Sequence, residues 1–214
     1  MKSDSQAKLA YSEIRRQILI MQLIPSERIK EDMWAKRLSV NRMAIREALT
    51  RLLGEGLVYI GDKSGYFVTA MSAKDLKEIW EIREVLELAA INLAINKITK
   101  EKLDELYKIC DDFTNLSSKG YTAGSCEADI RFHEKLIEYS GNTRLAKAYH
   151  YCHIPLFHQR LGKAKEYMDD YKLTDSEHRK IVEALKKKDA AAAQKILKEH
   201  FKRGAKMVLG FDND

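Results

Sequence analysis

Residues 39–68 have the sequence SVNRMAIREALTRLLGEGLVYIGDKSGYFV, and this stretch decides the fold of the first part of the chain. As far as Gly54 its apolar residues recur at helical spacing, and Asn41 is a favourable N-cap for the helix. The predicted buried stripe consists of Ile45, Leu49 and Leu52. After Gly56, the segments LVYI and YFVT are rich in β-branched and aromatic residues and flank the turn GDKSG. The stretch therefore predicts a helix followed by a β-hairpin.

Two further helices are predicted upstream of this stretch. The segment YSEIRRQILIMQ (11–22) has apolar residues at helical spacing, and Pro25 prevents its simple continuation. After the turn IPSER, the segment KEDMWAKRL (30–38), together with Ile29 before it, suggests a short second helix. Three helices followed by a hairpin is the element order of a winged helix-turn-helix, which we place at residues 1–72.

From Ser72 onward the sequence pattern is helical and contains no convincing strand. Six amphipathic segments are separated by Gly, Ser, Asn or Asp signals. These segments span residues 73–97, 100–116, 127–140, 142–161, 174–188 and 189–209. The predicted fold is therefore mainly α, with a winged helix-turn-helix at 1–72 followed by an all-α six-helix bundle at 73–214.

The composition indicates a folded protein with a basic N-terminal part. Hydrophobic residues make up 45% of the 214 positions, and only two residues are proline. No segment approaches the roughly 20 apolar residues that span a bilayer, and a secretory signal is absent, so we expect a cytoplasmic protein. Three widely spaced cysteines exclude a disulfide framework. The net charge is +6, and residues 1–72 contain 12 Lys and Arg against 8 Asp and Glu, which fits a polyanionic partner.

The opening of the third helix carries residue types suited to entering a DNA groove. Arg42 and Arg46 stand one turn apart beside the predicted buried stripe, and such arginines bind phosphates or bases. Lys63 in the wing turn offers a phosphate or minor-groove contact, and Gly65 allows close backbone approach. The candidate DNA-binding set occupies these exposed opening turns and the wing, and consists of Asn41, Arg42, Met43, Ala44, Arg46, Lys63 and Gly65. By chemistry alone, the alternative is that the two arginines are solvated surface residues.

The surrounding sequence resembles the DNA-binding domain of GntR-family transcription regulators. That family's pattern has a Leu-x-Pro-Gly turn, Glu-x-x-Leu-Ala, Val-Ser-Arg-Thr-Pro-Val-Arg-Glu-Ala-Leu, and Glu-Gly-Leu before a Gly-tipped wing. The matching residues are Pro25, Glu31, Ala35, Arg42, Arg46, Glu47, Ala48, Leu49, Glu55, Gly56, Leu57, Gly65 and Val68. The resemblance spans residues 14–68 and implies double-stranded operator DNA as a partner.

Several positions depart from the family pattern where operator sequence is recognised. The departures are Ser26 and Ser39 for glycine, Trp34 for leucine, Asn41 for serine, and Met43 with Ala44 for a Thr-Pro pair. Because base recognition depends on side-chain identity, the family's common operator sequence is not carried over to this chain. Family members with an arginine in the second helix use it on DNA, but Asp32 stands at that position here, so this contact is not carried over.

The bundle contains four candidate metal ligands. Asp129 and His133 lie four residues apart on an apolar helix face, where both side chains are able to bind one ion. His178 and His200 lie on the apolar faces of the last two helices. Burying a carboxylate and three imidazoles without partners is unfavourable, and a shared ion removes that penalty. From spacing alone, the alternative is a hydrogen-bonded Asp129–His133 pair and ordinary core histidines.

Most of residues 75–208 resemble the effector-binding FCD domain of the FadR subfamily, in its shorter VanR-like branch. Metal-binding members use Asp-x3-His on one helix and single histidines from the last two helices, which implies the ligand set Asp129, His133, His178 and His200. Three nitrogens and one oxygen favour Zn2+, with Ni2+ or another divalent ion as the alternative. The resemblance also places Arg83 at the effector pocket, where it would hold a carboxylate; pairing with Glu87 is the alternative. The histidines at 150, 153 and 158 are assigned to packing or surface.

Three classes of function follow for such a chain. A ligand-responsive transcription regulator explains both the basic winged domain and the polar cluster in the bundle, and we expect a homodimeric repressor that binds a small carboxylate effector. A metal-dependent hydrolase with an accessory nucleic-acid-binding domain is the alternative. The sequence lacks the His-Glu-x-x-His motif of zinc hydrolases. Glu134, Glu177 and Glu199 each adjoin a candidate ligand, but sequence neighbours on a helix point in different directions, so these glutamates are poor candidates for a general base. A scaffold protein would not need the polar cluster. The sequence therefore favours a regulator that is not an enzyme.

Overall fold

The computed structural model describes residues 2–62, 64–152 and 171–209, which divide into two compact units, Met1–Ser72 and Ala73–Asp214. The protein is mainly helical. Within the described residues, no helix has the length and apolar character needed to span a membrane.

The first unit consists of three helices and a small sheet. The elements are α1 (Lys2–Leu19), β1 (Arg28–Ile29), α2 (Glu31–Leu38), α3 (Arg42–Gly54), β2 (Val58–Ile60) and β3 (Tyr66–Val68). Helices α1 and α2 both pack against α3. Six large apolar side chains of these helices are fully buried: Ile14, Ile18, Trp34, Ile45, Leu49 and Leu52. This arrangement is the predicted winged helix-turn-helix.

The start of α3 and the pairing of the two predicted hairpin strands agree with the prediction. The Asn41 side chain accepts a hydrogen bond from the Ala44 backbone N–H, as expected of an N-cap. Strands β2 and β3 pair antiparallel, with Tyr59 opposite Phe67. The predicted stop is also present, because α3 ends at Gly54 and Gly56 adopts a left-handed φ of +67°.

Three details of the predicted first unit were wrong. Helix α1 begins at Lys2 rather than at residue 11, because small buried residues such as Ala7 and Ala10 continue its packed face. Ile29 does not belong to the second helix; it lies in β1, opposite Tyr66 of β3. The wing is consequently a three-stranded sheet of order β1-β3-β2 rather than a two-stranded hairpin.

Six helices of the second unit lie within the described residues. They are α4 (Ala73–Ala94), α5 (Lys100–Ser117), α6 (Thr122–Tyr139), α7 (Thr143–Tyr151), α8 (Tyr171–Lys186) and α9 (Ala190–Leu209). The apolar faces of α4, α5, α6, α8 and α9 meet in one core, which includes Ile91, Leu106, Phe132, Leu136, Ile181, Leu185, Leu197 and Phe201. Helix α6 begins five residues before its predicted start at 127, and the second half of the predicted segment 142–161 lies outside the described residues.

Candidate metal centre and nucleic-acid interface

Four buried side chains from three helices converge inside the second unit. Asp129 and His133 come from α6, His178 from α8 and His200 from α9. One ligand atom from each residue lies within 4.8 Å of the ligand atoms of the other three. We call these four residues the ligand cluster. The helical pattern explains this convergence, because each residue lies on the apolar face that its helix turns toward the core.

The distances within the ligand cluster do not match a hydrogen-bonded Asp129–His133 pair. His133 Nε2 lies 3.9 Å from Asp129 Oδ1, which is too long for a hydrogen bond. His178 Nε2 lies 3.3 Å from the same oxygen and makes no hydrogen bond among the described residues, although it is fully buried. A buried nitrogen in this position is unfavourable unless something binds its lone pair.

Both α6 and α8 hold their histidines in the neutral state that metal binding requires. Burial lowers the pKa of His178 to about 3, and it lowers the pKa of His133 well below its ordinary value, with the nearby Arg83 charge acting in the same direction. The His178 ring stacks on Phe132 with ring centroids 4.1 Å apart, which fixes its orientation. Neutral imidazoles and one carboxylate form a donor set suited to a divalent transition-metal ion.

The cluster also fits an ion in size. Ligand atoms bound to one ion at about 2.1 Å lie at most about 4.2 Å apart. The largest separation here is 4.8 Å, so side-chain movements of well under about 1 Å would be enough to bring all four atoms into a coordination sphere.

Two carboxylates that the sequence did not identify as partners support the histidines from behind. His133 Nδ1 lies 2.6 Å from Glu87 Oε2, and His200 Nδ1 lies 2.8 Å from Glu177 Oε2. Burial alone would raise the pKa of Glu177, but hydrogen bonds from His200 and Arg203 outweigh it and lower the pKa to about 2. Glu177 therefore binds the histidine of the next helix rather than its sequence neighbour His178, as the 100° rotation between neighbouring helix positions requires.

Arg83 lies beside Glu87 and is only 2% exposed. Its Nε donates a hydrogen bond to Glu87 Oε1 at 2.8 Å, so the pairing alternative raised from the sequence is realised in the structure. The guanidinium also lies 4.6 Å from the centre of the Phe201 ring. The Arg83 side chain thus places a positive charge next to the ligand cluster.

The predicted DNA-binding residues occupy different environments in the first unit. Arg42 and Arg46 are exposed, and each faces a carboxylate of α2: Arg42 Nε contacts Asp32 Oδ1, and Arg46 Nε lies 2.7 Å from Glu31 Oε2. Met43 is 68% exposed. These three side chains are accessible at the start of α3.

Ala44 does not belong to that exposed surface, and the expectation that it does was wrong. Its side chain is fully buried because it lies one turn before Ala48, on the face that packs into the core. Asn41 is engaged at both ends of its amide: Oδ1 caps the helix, and Nδ2 donates to Gln6 Oε1 at 2.8 Å.

The wing residues complete the predicted set. Gly65 has a φ of +111°, and a Cβ there would lie 3.1 Å from Arg28 Nε, so glycine is required at this point. Lys63 lies outside the described residues. Of the histidines assigned to packing or surface, His150 is exposed on α7, and those at 153 and 158 also lie outside the described residues.

Comparison with known proteins identifies both units. Residues 6–68 match the family described as bacterial regulatory proteins, gntR family, and residues 78–203 match the FCD domain family. The HTH-type transcriptional regulator YdhC of Bacillus subtilis (strain 168) is 32% identical over 198 residues, which cover 89% of this chain and 85% of YdhC.

Solved structures share the fold. A structure of Escherichia coli McbR/YncC superposes with a TM-score of 0.80 over 97% of this chain and 99% of that one, at 21% identity. A structure described as the metal-free FCD domain of TM0439 superposes with a TM-score of 0.54 over 66% of this chain and 96% of that one, at 23% identity.

Proposed function

The chain belongs to the GntR family of bacterial regulatory proteins and carries an FCD domain, and from that premise we propose a repressor controlled by a divalent metal ion and a small carboxylate effector. The family consists of transcription regulators, so the metal-dependent hydrolase considered from the sequence is not retained.

The single observation that carries the metal proposal is the convergence of four buried ligand atoms from three helices. Asp129, His133, His178 and His200 would hold the ion. Zn2+ is the first choice for three nitrogens and one oxygen, and Ni2+ or another divalent ion is the alternative. When bound, such an ion supplies open coordination positions that accept the oxygens of a carboxylate.

We propose that Arg83 assists in binding the effector. Its buried guanidinium lies beside the cluster, and its charge favours an anion over a neutral molecule of similar shape. The ion and Arg83 together select a small carboxylate. Because the coupling between two binding sites is reciprocal, operator DNA should weaken effector binding by the factor by which effector weakens operator binding.

Recognition of DNA is assigned to the opening of α3 and to the wing. Arg42, Met43 and Arg46 are exposed there and would face the major groove of one operator half-site, while Lys63 and Gly65 belong to the wing. Asn41 would hold this turn in place through its cap and its bond to Gln6.

The regulator is proposed to act as a homodimer on a near-palindromic operator. Helix α4 supports this proposal with a row of apolar side chains on one face: Ile82, Val85 and Leu93 are exposed, at 40%, 62% and 40%. The spacing of these residues places them on one stripe of the helix, and an exposed apolar stripe is typical of an interface. A second copy is the occupant that the two-fold symmetry of a palindromic operator calls for.

The proposed function is tested by measuring operator binding in the presence of small molecules. The protein is loaded with Zn2+, bound to labelled DNA from upstream of its own gene, and titrated with a panel of mono-, di- and tricarboxylates. At least one carboxylate should release the protein from DNA, and the release should be lost in His178→Ala and Arg83→Met variants. If operator affinity is the same with every carboxylate, with and without the ion, the effector proposal is wrong.

A further inference from the structure

Glu87 is a fully buried carboxylate shared by three side chains from three helices. Arg83 Nε, on the same helix, lies 2.8 Å from Oε1. The Tyr149 hydroxyl of α7 also lies 2.8 Å from Oε1, and His133 Nδ1 of α6 lies 2.6 Å from Oε2. Glu87 itself is 0% exposed. A buried carboxylate with this many donors is held in one place, and so are the groups that bind it.

The hydrogen bond from Glu87 decides which nitrogen of His133 can bind an ion. An ionised carboxylate only accepts hydrogen bonds, so the Glu87 oxygen 2.6 Å from His133 Nδ1 requires a proton on Nδ1. The lone pair is then on Nε2, the nitrogen that faces Asp129 within the ligand cluster. Glu87 therefore sets both the tautomer and the ring orientation of this ligand.

The same arrangement is repeated at a second ligand. His200 Nδ1 lies 2.8 Å from Glu177 Oε2, and Arg203 Nη2 lies 2.5 Å from the same oxygen. Two of the three histidines are thus held from behind by a carboxylate that is itself held by an arginine. This repetition distinguishes the network from a chance buried ion pair.

Tyr149 connects a further helix to the network. Burial, together with Glu87, raises the pKa of Tyr149 well above its ordinary value, so the hydroxyl stays protonated and donates to the carboxylate. Tyr149 is buried on α7, whereas His150 and Tyr151 beside it are exposed. The Tyr149 side chain is therefore the point at which α7 enters the polar network.

We propose that Glu87 and Glu177 are positioning residues that set the metal affinity of the ligand cluster, and that Tyr149 links the placement of α7 to metal binding through Glu87. This inference rests on the proposed metal site. By linkage, an ion bound at His133 stabilises the Glu87–Tyr149 hydrogen bond, and loss of that bond weakens the ion's binding by the same factor. Metal binding thereby stabilises the placement of α7.

The test is a Zn2+ affinity measurement on the full chain by competition with a chromophoric chelator. Glu87→Gln and Glu177→Gln should each weaken Zn2+ binding about 10- to 100-fold, the range typical of lost hydrogen bonds behind a metal ligand. Tyr149→Phe should weaken it less, up to about 10-fold, because the carboxylate keeps its other donors. Tyr139→Phe is the matched control, since the Tyr139 hydroxyl donates to Glu105 and not to the network, and it should leave the affinity unchanged.

The thermal unfolding of the metal-free variants separates positioning from folding. Without Zn2+, Tyr149→Phe should lower the melting temperature more than Tyr139→Phe, because its partner Glu87 is fully buried and Glu105 is not. When Zn2+ is added, only Tyr149→Phe should show a smaller rise in melting temperature than the wild type. If Glu87→Gln does not fold, Glu177→Gln and Tyr149→Phe carry the test. Wild-type affinity in all three variants overturns the positioning role alone. A wild-type protein that binds no Zn2+, Ni2+ or other divalent ion overturns the metal site itself.

Discussion

The folding stability of the metal-free protein should depend on pH through its buried histidines, and replacing His178 by Gln should remove part of that dependence. Burial lowers the pKa of His178 from 6.5 to about 3. Above pH 6.5 the imidazole is neutral in both the folded and the unfolded chain, so it adds no pH dependence there. As pH falls below 6.5, the unfolded chain takes up a proton that the folded protein does not, and stability is lost until pH reaches about 3.

The size of this effect follows from proton linkage. One additional proton bound by the unfolded chain corresponds to about 1.4 kcal/mol per pH unit. Integrated from pH 7 to pH 5, with pKa values of 6.5 and about 3, His178 accounts for a loss of about 2 kcal/mol. His133, whose pKa is also lowered by burial, adds a loss in the same direction.

Urea unfolding in the presence of a strong chelator, followed by circular dichroism at pH 7 and pH 5, measures this loss. The difference in unfolding free energy between the two pH values should be about 2 kcal/mol smaller for His178→Gln than for the wild type. His150→Gln is the control, because His150 is exposed on α7 and lies outside the ligand cluster, and its difference should equal that of the wild type. An equal loss in His178→Gln and wild type would refute the claim that His178 is buried and neutral.

Three further outcomes are expected. Arg46→Ala should weaken binding to the true operator roughly 5- to 150-fold in an anisotropy titration if Arg46 contacts a base edge, and unchanged affinity would remove it from the recognition set. Ser39→Gly should raise the unfolding free energy by about 0.5–1 kcal/mol in urea, since Ser39 holds a left-handed φ of +54°; Ser39→Ala, which keeps the strain, should not. Val85→Asp should shift sedimentation toward the monomer, and a dimer that persists contradicts the α4 interface.

The parts of the fold that were predictable from sequence are those with local causes. Helix α3 has a capping Asn41, a regular apolar stripe and glycines at its end, and each signal acts within a few residues. Strand β1 has only two residues, Arg28 and Ile29, and exists because they pair with β3 nearly forty positions later. No periodicity is detectable over two residues, so Ile29 was assigned to the neighbouring helix instead.

Ala44 shows a different kind of error. It was placed with Arg42 and Met43 in the exposed opening turns of the helix, but a small residue one turn before Ala48 also fits a tightly packed face. Helix α1 packs against α3, and Ala44 and Ala48 are both buried. The sequence pattern of i and i+4 alanines was available, but it did not distinguish the two environments.

In the candidate metal site, too, the residues with a local sequence pattern were predictable and their distant partners were not. The grouping of the four candidate ligands was predictable, because Asp129 and His133 share one helix turn and His178 and His200 each lie on an apolar face. Spacing alone left ordinary core histidines as the alternative, and the resemblance to the FCD domain favoured a metal site. The groups that support the ligands were not predictable, since Glu87 meets His133 from 46 positions away and Tyr149 meets Glu87 from 62 positions away. Tertiary packing alone decides that the Tyr149 hydroxyl of α7 reaches the buried Glu87 carboxylate.

Elemental analysis shows whether the ligand cluster of the purified protein holds a divalent ion. Protein purified without added metal or a histidine tag should contain about one divalent ion per chain, and chelator-treated protein should take up about one Zn2+ per chain with a rise in melting temperature. Asp129→Ala and His178→Ala should lose this ion, whereas His150→Ala should keep it. A wild-type protein that contains no divalent ion, takes up none on titration and retains its helical structure would contradict the account.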